Sequence, residues 1–214
     1  MPVHVAWLAG EHERPGLPAG GPEPASGALT AGEERALMGL VEGCLALGTR
    51  WLTVRAPSGG HPAGAAAAGL ARLRAESREL GPAGTGTGPG PAPPPPDPPS
   101  LTVLFAAAAV SGRVEIVDAV RRLAAAGVTP AELDERSVAR SLYAPGVPDP
   151  DLLVRTGGDR RVPDLLLWEV AYSELVFLDV PWVASTRELL FGAVAEYQRR
   201  DRRYGGLVAS GEGR

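Results

Sequence analysis

Short apolar runs alternate with amphipathic helical stretches along most of this 214-residue chain, and this alternation restricts its fold more than any other feature. Val3–Ala9 predicts a first strand. A helix follows, because Thr30 and Glu33 form a capping-box pattern ahead of an apolar stripe. Residues 51–54 predict a second strand. A strand–helix–strand order implies two parallel strands joined by a right-handed crossover.

The second half of the chain repeats this alternation. The pattern predicts strands over 101–107, 152–155 and 175–178, a helix after Gly112, and helices that open at Thr129 and Ser185. Strands that alternate with helices predict an α/β fold with an open, mainly parallel sheet flanked by helices. We expect residues 1–214 to form a single domain of this class.

The middle of the chain changes composition. Residues 63–80 predict an Ala-rich helix. Residues 81–100 (GPAGTGTGPGPAPPPPDPPS) are too rich in Gly and Pro to propagate regular structure, which predicts a disordered, partly extended linker. A Pro-rich ligand for a partner domain is the alternative, but no basic residue flanks the prolines.

Charge and cysteine content exclude several classes. A formal net charge of −4 gives no reason to expect a nucleic acid partner. Cys44 is the only cysteine, so it cannot form an intrachain disulfide, and its helical pattern predicts a small buried hydrophobe. No apolar run reaches the length of a membrane span, and the start does not resemble a signal peptide. We expect a cytoplasmic protein, with peripheral membrane contact left open.

The densest candidate site is the stretch DPDLLVRTGGDRR, residues 149–161. Ligands of open α/β sheets bind beyond the carboxyl ends of the strands, where this chain places Gly10, Arg55, Ala108 and Arg155. Arginine forks beside glycine amides that are free to donate are what a diphosphate needs. Each arginine taken alone also fits a surface ion pair.

Other residues with catalytic chemistry are fewer. Glu174 begins the next strand, where its carboxylate could reach a metal ion bound to that diphosphate. Glu11-His12-Glu13 has metal-ligand residue types, but adjacent residues rarely face one site. His12 and His61 lie in Gly/Pro loops, and we expect both to be solvated.

One long stretch carries a resemblance to a known family. DPDLLVRTGGDRRVPDLLLWEVAYSELVFLDVPW, followed by YQRRDRRYGG, resembles the C-terminal signature of cis-prenyltransferases, the undecaprenyl diphosphate synthase family. The match is close over 141–206, looser over 101–140 and weak over 3–14 and 30–56. The resemblance implies that fold and the condensation of isopentenyl diphosphate with an allylic diphosphate, usually by a dimer with Mg²⁺.

The resemblance also implies roles for individual residues. Arg155 and Arg161 match the arginines that grip isopentenyl diphosphate, and Arg14 survives from the family's phosphate-binding loop. With the turn glycines Gly157 and Gly158, these are the predicted substrate-binding residues. Glu174 matches a glutamate that holds Mg²⁺. Arg203-Tyr204-Gly205 matches an Arg-x-Gly tail that reaches the partner subunit's active site, so Arg203 and Gly205 would act there.

Departures from the family pattern concentrate in the N-terminal half. HVAWLAGEHER puts Gly10 at the position of the catalytic aspartate, which binds Mg²⁺ and positions the allylic diphosphate. A lost ligand for a leaving diphosphate should cost orders of magnitude in rate, and Glu11 is a poor substitute because it is shifted by one residue. Pro57-Ser58-Gly59-Gly60-His61-Pro62 keeps only the serine of a second motif. Pro163 replaces a serine hydroxyl after Arg161.

These losses favour a non-catalytic subunit of a heteromeric cis-prenyltransferase, inactive alone, which lends its tail to a catalytic homologue. Mg²⁺ would then belong to the complex and bind weakly or not at all to this chain. A divergent active enzyme with a short-chain product is one alternative. A diphosphate-binding protein without catalysis is the other. The partner is a homologue in the first case, and a homodimer stays open.

Overall fold

Six parallel strands form one sheet in this computed structural model, which describes residues 1–10, 13, 28–80, 100–106 and 111–202. The strand order is β3-β4-β2-β1-β5-β6. The strands are β1 His4–Leu8, β2 Trp51–Arg55, β3 Ala75–Leu80, β4 Leu101–Ala106, β5 Leu152–Arg155 and β6 Glu174–Phe177. The prediction of an open parallel α/β sheet is confirmed, and the strands before and after the Pro-rich stretch are neighbours in it.

The described part of the chain has five α-helices, four between strands and one after the last strand. They are α1 Ala31–Leu47, α2 Gly64–Arg72, α3 Gly112–Ala125, α4 Glu135–Ala139 and α5 Arg187–Arg199, with short 3₁₀ turns at Glu169–Tyr172 and Trp182–Ala184. The predicted capping box begins α1: the Thr30 hydroxyl accepts from the Glu33 amide, and the Glu33 carboxylate accepts from the Thr30 amide. Gly48 ends that helix in the left-handed conformation, with φ 70°.

The four central strands, β4, β2, β1 and β5, are buried on both faces, as their mainly apolar sequences require. Trp7, Val54 and Val154 face one layer, where α1 and α5 cover the sheet. Leu8 and Leu153 face the other layer, against residues 165–170. Cys44 is buried in the first layer as predicted, and burial raises the pKa of its thiol to about 12.

The predicted helix over 63–80 is wrong in its second half. Helix α2 ends at Arg72, and the backbone turns through Arg74, which has φ 56°. Ala75–Leu80 then forms the edge strand β3, paired in parallel with Leu101–Ala106. Hydrogen bonds to β4 outweigh the local helix propensity of this segment, which no pattern in the segment itself reveals.

Two predicted helix starts are displaced. Thr129 and Glu132 bond as a capping pair, but a single turn follows, and α4 begins after Asp134, which forms its own capping box with Ser137. At the last helix Thr186 is the N-cap, not Ser185. The Ser185 hydroxyl instead accepts a hydrogen bond of 2.8 Å from the Trp7 indole.

Some predictions lie outside the described residues. These concern Glu11, His12, Arg14, most of the predicted linker (81–99), Ala108, Arg203 and Gly205. Among the helices that are described, none has both the length and the apolar character needed to cross a bilayer.

Candidate anion-binding site

Three neighbouring strands end together at the carboxyl edge of the sheet. Leu8, the last residue of β1, pairs with Arg55 of β2 on one side and with Arg155 of β5 on the other. Gly10 follows β1 by two residues. The structure therefore brings together the three described members of the predicted crevice: Gly10, Arg55 and Arg155.

Arg155 is fully buried and is held by an acidic neighbour. Its Nη2 lies 2.6 Å from Oδ2 of Asp159, which is itself buried. The other oxygen of Asp159 accepts from Nε of Arg161 at 3.1 Å, and the Arg161 side chain is 76% exposed. Asp159 thus orients both arginines of the predicted site, a role that the sequence interpretation missed although Asp159 lies within the same motif.

The two glycines of the turn allow its backbone conformation, but their amides already donate hydrogen bonds within the protein. Gly157 and Gly158 have φ of 77° and 74°, which side-chain-bearing residues rarely adopt. The Gly157 amide donates to the carbonyl of Val180 at 2.8 Å, and the Gly158 amide donates to that of Leu178 at 3.0 Å. The expectation that these amides are free for a diphosphate is therefore wrong, because the segment after β6 already occupies them.

Glu13 fastens the first loop to this turn. Its Oε1 accepts from the Thr156 hydroxyl at 2.7 Å and from the Gly10 amide at 3.1 Å, and its Oε2 accepts from the Trp182 amide. A Cβ on Gly157 would lie 2.4 Å from Oε1 of Glu13. The sequence offered Glu13 only as part of a weak metal pattern, because its partners are far away along the chain.

Glu174 lies at the opposite edge of the sheet from Arg155. It pairs with Leu152, three residues before Arg155, a separation of about 10 Å along the strand. Its Oε2 accepts from Nη1 of Arg200 at 3.1 Å. The expectation that Glu174 reaches a diphosphate bound at Arg155 is therefore corrected, and its role as a metal ligand elsewhere stays a prediction.

The C-terminal segment is fastened at the edge where Glu174 lies, which is the amino edge of the sheet because the parallel strands begin there. Arg202 Nη1 lies 2.6 Å from Oδ1 of Asp151, just before β5, and 3.0 Å from the Tyr197 hydroxyl. Burial lowers the pKa of Arg202, but the hydrogen bond with Asp151 and the neighbouring charges more than offset it, so the pKa is raised overall. The last described residue, Arg202, is therefore bonded beside the end of β5 that lies away from Arg155.

The described residues at the carboxyl edge do not fit a Mg²⁺ site. Gly10 has no side-chain oxygen, and both carboxylate oxygens of Glu13 accept hydrogen bonds from the protein. Asp159 is held between two arginines. Within the described ranges no three His, Cys, Asp or Glu side chains cluster as metal ligands.

His61 is not a solvated surface residue, contrary to the sequence interpretation. Its ring packs edge-on against Phe105, with 5.9 Å between centroids. Its carbonyl accepts from the Leu29 amide, and the segment makes a bridge to Ala28. His61 is thus partly buried over the ends of β2 and β4.

Open parallel α/β sheets bind ligands beyond the carboxyl ends of their strands, where a buried arginine suits an anion. A family model, described as putative undecaprenyl diphosphate synthase, matches residues 99–205. The chain belongs to this family.

Curated relatives match a little less than half of the chain. Isoprenyl transferase 2 of Bradyrhizobium diazoefficiens is 46% identical over 101 residues, which are 45% of this chain and 40% of that protein. Isoprenyl transferase 1 of Corynebacterium diphtheriae is 48% identical over 102 residues, 44% of this chain and 38% of that protein. The matches thus span about two fifths of the relatives' length.

Solved structures match the whole fold. Lavandulyl diphosphate synthase from Lavandula x intermedia, solved with dimethylallyl diphosphate, superposes with a TM-score of 0.64 at 19% identity, covering 95% of this chain and 98% of that one. A probable undecaprenyl diphosphate synthase from Campylobacter jejuni gives a TM-score of 0.63 at 17% identity, covering 96% and 99%. The likeness therefore extends to the N-terminal half, where the sequence resemblance is weak.

Proposed function

We propose that this chain is the non-catalytic subunit of a heteromeric cis-prenyltransferase. Its partner would be a catalytic homologue, and the complex would condense isopentenyl diphosphate with an allylic diphosphate. Mg²⁺ would be held in the complex, not by this chain alone. Its own carboxyl-edge site would bind isopentenyl diphosphate through Arg155 and Arg161, and Arg14 would be a further substrate-binding residue.

The observation that carries this proposal is where the C-terminal segment is fastened. Arg202 is bonded to Asp151 and Arg200 to Glu174, at the edge of the sheet opposite Arg155. A tail that starts from that edge begins about 10 Å or more from its own chain's anion site. This supports a tail, Arg203 to Gly205, that acts on a neighbouring subunit.

The possible metal ligands at the carboxyl edge support a subunit that is not catalytic by itself. Gly10 offers no carboxylate, and the carboxylate of Glu13 is used to fasten the first loop. Departure of an allylic diphosphate needs stabilisation of its developing charge, which a bound divalent cation ordinarily supplies. The described residues of this edge have no group placed to bind such a cation.

Exposed apolar side chains on helix α3 favour a protein partner. Val114, Val117 and Val120 lie along one side of it and are 53%, 47% and 41% exposed. Adjacent exposed apolar side chains of this kind mark interaction surfaces more often than isolated ones do. A partner that covers them would remove this surface from water.

Incorporation of isopentenyl diphosphate into prenyl products tests the proposal. Purified chain would be assayed with farnesyl diphosphate and Mg²⁺, alone and with the catalytic homologue of its source organism. We expect turnover only in the mixture, or a sharp rise there. Turnover by the chain alone would instead support a divergent enzyme, and diphosphate binding without turnover in either assay would support a plain binding protein.

Arg203→Ala separates the tail mechanism from simple association. We expect this variant to fold and to bind the partner but to lose activation. Arg199→Ala, which changes an exposed arginine of the same segment, is the matched control and should activate normally. Full activation by Arg203→Ala would rule out the tail mechanism.

A further inference from the structure

Three hydrogen-bond donors converge on one position at the carboxyl edge of the sheet. They are the amide of Gly10 after β1, the hydroxyl of Thr156 after β5, and the amide of Trp182 in the segment after β6. Gly10 is buried, and Thr156 and Trp182 are 0% exposed. Three segments that are far apart in the chain thus present buried donors to a single acceptor.

The acceptor at that position is the carboxylate of Glu13. Its Oε1 accepts from the Thr156 hydroxyl at 2.7 Å and from the Gly10 amide at 3.1 Å, while its Oε2 accepts from the Trp182 amide. Hydrogen bonds to an ionised carboxylate are stronger than bonds between neutral groups. The three donors therefore form an anion-binding site that a side chain of the protein itself occupies.

The location of this anion-binding site favours an external ligand. Ligands of open α/β sheets bind beyond the carboxyl ends of the strands, and Thr156 directly follows the buried Arg155 at that end of β5. A phosphate group has three strong acceptor oxygens and carries more negative charge than a carboxylate does. One phosphate group therefore has enough acceptor oxygens for all three donors that Glu13 now satisfies.

The surroundings of Glu13 suit an exchange of one anion for another. Its side chain lies over Gly157, where an added Cβ would be 2.7 Å from both Cγ and Cδ of Glu13. Glu13 is half-buried, so it borders solvent, whereas the residues that donate to it are buried. Buried donors left without an acceptor cost free energy, so departure of Glu13 is favoured when another anion takes its place.

We propose that Gly10, Thr156 and Trp182 form a binding site for a phosphate group of the ligand, and that Glu13 occupies this site as an internal competitor. This inference rests on the proposed function, because it adds binding groups for a diphosphate at the same edge of the sheet. The affinity of the chain for a phosphate ligand is reduced by the fraction of molecules in which Glu13 fills the site. Removal of the Glu13 carboxylate should therefore strengthen binding.

Binding of inorganic diphosphate to the full chain tests the inference. Titration calorimetry would compare the wild type with Glu13→Ala. We expect the variant to bind at least about tenfold more tightly, because the ligand no longer competes with hydrogen bonds to a charged group. Glu76→Ala removes a carboxylate that is 65% exposed on the edge strand β3, so it controls for net charge and should bind as the wild type does.

The donors are tested in the Glu13→Ala background. Thr156→Val removes the hydroxyl and should reverse the gain by about tenfold, whereas Thr156→Ser keeps the hydroxyl and should retain the gain. The amides of Gly10 and Trp182 are followed by NMR, and their resonances should shift when diphosphate is added. A gain that is unchanged by Thr156→Val, or that leaves both amide resonances unmoved, would show that the ligand binds elsewhere and would overturn the inference.

Folding of each variant is measured by circular dichroism and urea unfolding. If Glu13→Ala does not fold, Glu13→Gln keeps the shape and one acceptor oxygen but loses the charge, and it should also bind more tightly than the wild type. A folded Glu13 variant with wild-type or lower affinity would show that Glu13 only fastens the first loop, which would overturn the inference.

This inference and the subunit proposal fail in different assays. A mixture active in prenyl transfer, together with unchanged diphosphate binding by Glu13→Ala, would overturn the role of Glu13 and leave the subunit proposal intact. Tighter binding by Glu13→Ala that Thr156→Val reverses, together with an inactive mixture, would confirm the anion-binding site and overturn the subunit proposal.

Discussion

The two edges of the sheet use arginine in different ways. At the carboxyl edge Arg155 is fully buried and held by Asp159 beside a glycine turn. At the amino edge the side chains of Arg200 and Arg202 are 35% and 21% exposed, and they bond Glu174 and Asp151. Burial and Asp159 hold the first arginine in a fixed position, whereas the other two fasten the C-terminal segment to the strands.

Arg155→Gln should have the largest effect, because it breaks the buried pair of the carboxyl edge. Removal of one partner of a buried ion pair costs about 3–5 kcal/mol of the free energy of unfolding. Urea unfolding measures it. Arg161→Gln, which removes the exposed partner of the same Asp159, is the matched control and should cost less than about 1 kcal/mol. Equal losses of stability in the two variants would contradict the argument that burial makes the Arg155 pair the stronger one.

His4 makes the amino edge sensitive to acid. Burial lowers the pKa of its imidazole to about 4, opposed by its hydrogen bond with the Pro148 carbonyl. The folded chain keeps His4 neutral while the unfolded chain takes up a proton below about pH 6.5, so stability falls as the pH drops from 6.5 towards 4. The loss should be on the order of 3 kcal/mol.

The measurement is urea unfolding across that pH range for the wild type and for His4→Gln. The variant lacks the titrating ring and should show a shallower decline, although it is less stable at neutral pH because the bond to Thr53 changes. Parallel curves for the two proteins would show that His4 does not cause the acid sensitivity.

Gly157→Ala should destabilise the carboxyl-edge turn more than Gly158→Ala does. Both positions have positive φ, which costs a side-chain-bearing residue about 1–2 kcal/mol. Only at Gly157 would the new Cβ also collide with Glu13, while at Gly158 the nearest atom outside the turn is 3.3 Å away. The difference in stability between the two variants, measured by thermal or urea unfolding, isolates the Glu13 contact. Equal losses of stability would show that contact with Glu13 does not contribute.

Arg202→Gln should have the smallest effect on stability. Its pair with Asp151 is partly exposed, and such pairs contribute up to about 1 kcal/mol. The expected consequence is functional: the segment that leads to Arg203 loosens, and activation of the partner falls while unfolding changes little. A large loss of stability would mean that the amino edge is as tightly integrated as the carboxyl edge.

Local signals predicted most of the fold. The Thr30–Glu33 capping box, the apolar runs at β1, β2, β4 and β5, and the parallel order are confirmed. The predictions failed where distant partners decide the outcome: β3 forms because β4 lies beside it, and Ser185 is not an N-cap because Trp7 bonds its hydroxyl. Propensity is a weak guide where a tertiary hydrogen bond competes with it.

The candidate site was also predicted only where local patterns specify it. The sequence identified Arg155 and the glycine turn, because a strand followed by two glycines and arginines is a local pattern. It missed the two carboxylates that hold the site together, Asp159 and Glu13. It also placed Glu174 beside Arg155, because it carried no information on the register of β5 and β6.

By itself the sequence determined the family and the parallel α/β class and located the arginines and glycines of the candidate site, because short-range patterning and motif order specify these. The tertiary structure alone decided which edge each group occupies: Arg55 and Arg155 lie on either side of Leu8, whereas Glu174 and Arg202 lie at the amino edge. Strand register and burial fix those positions, and both arise from contacts between residues far apart in the chain.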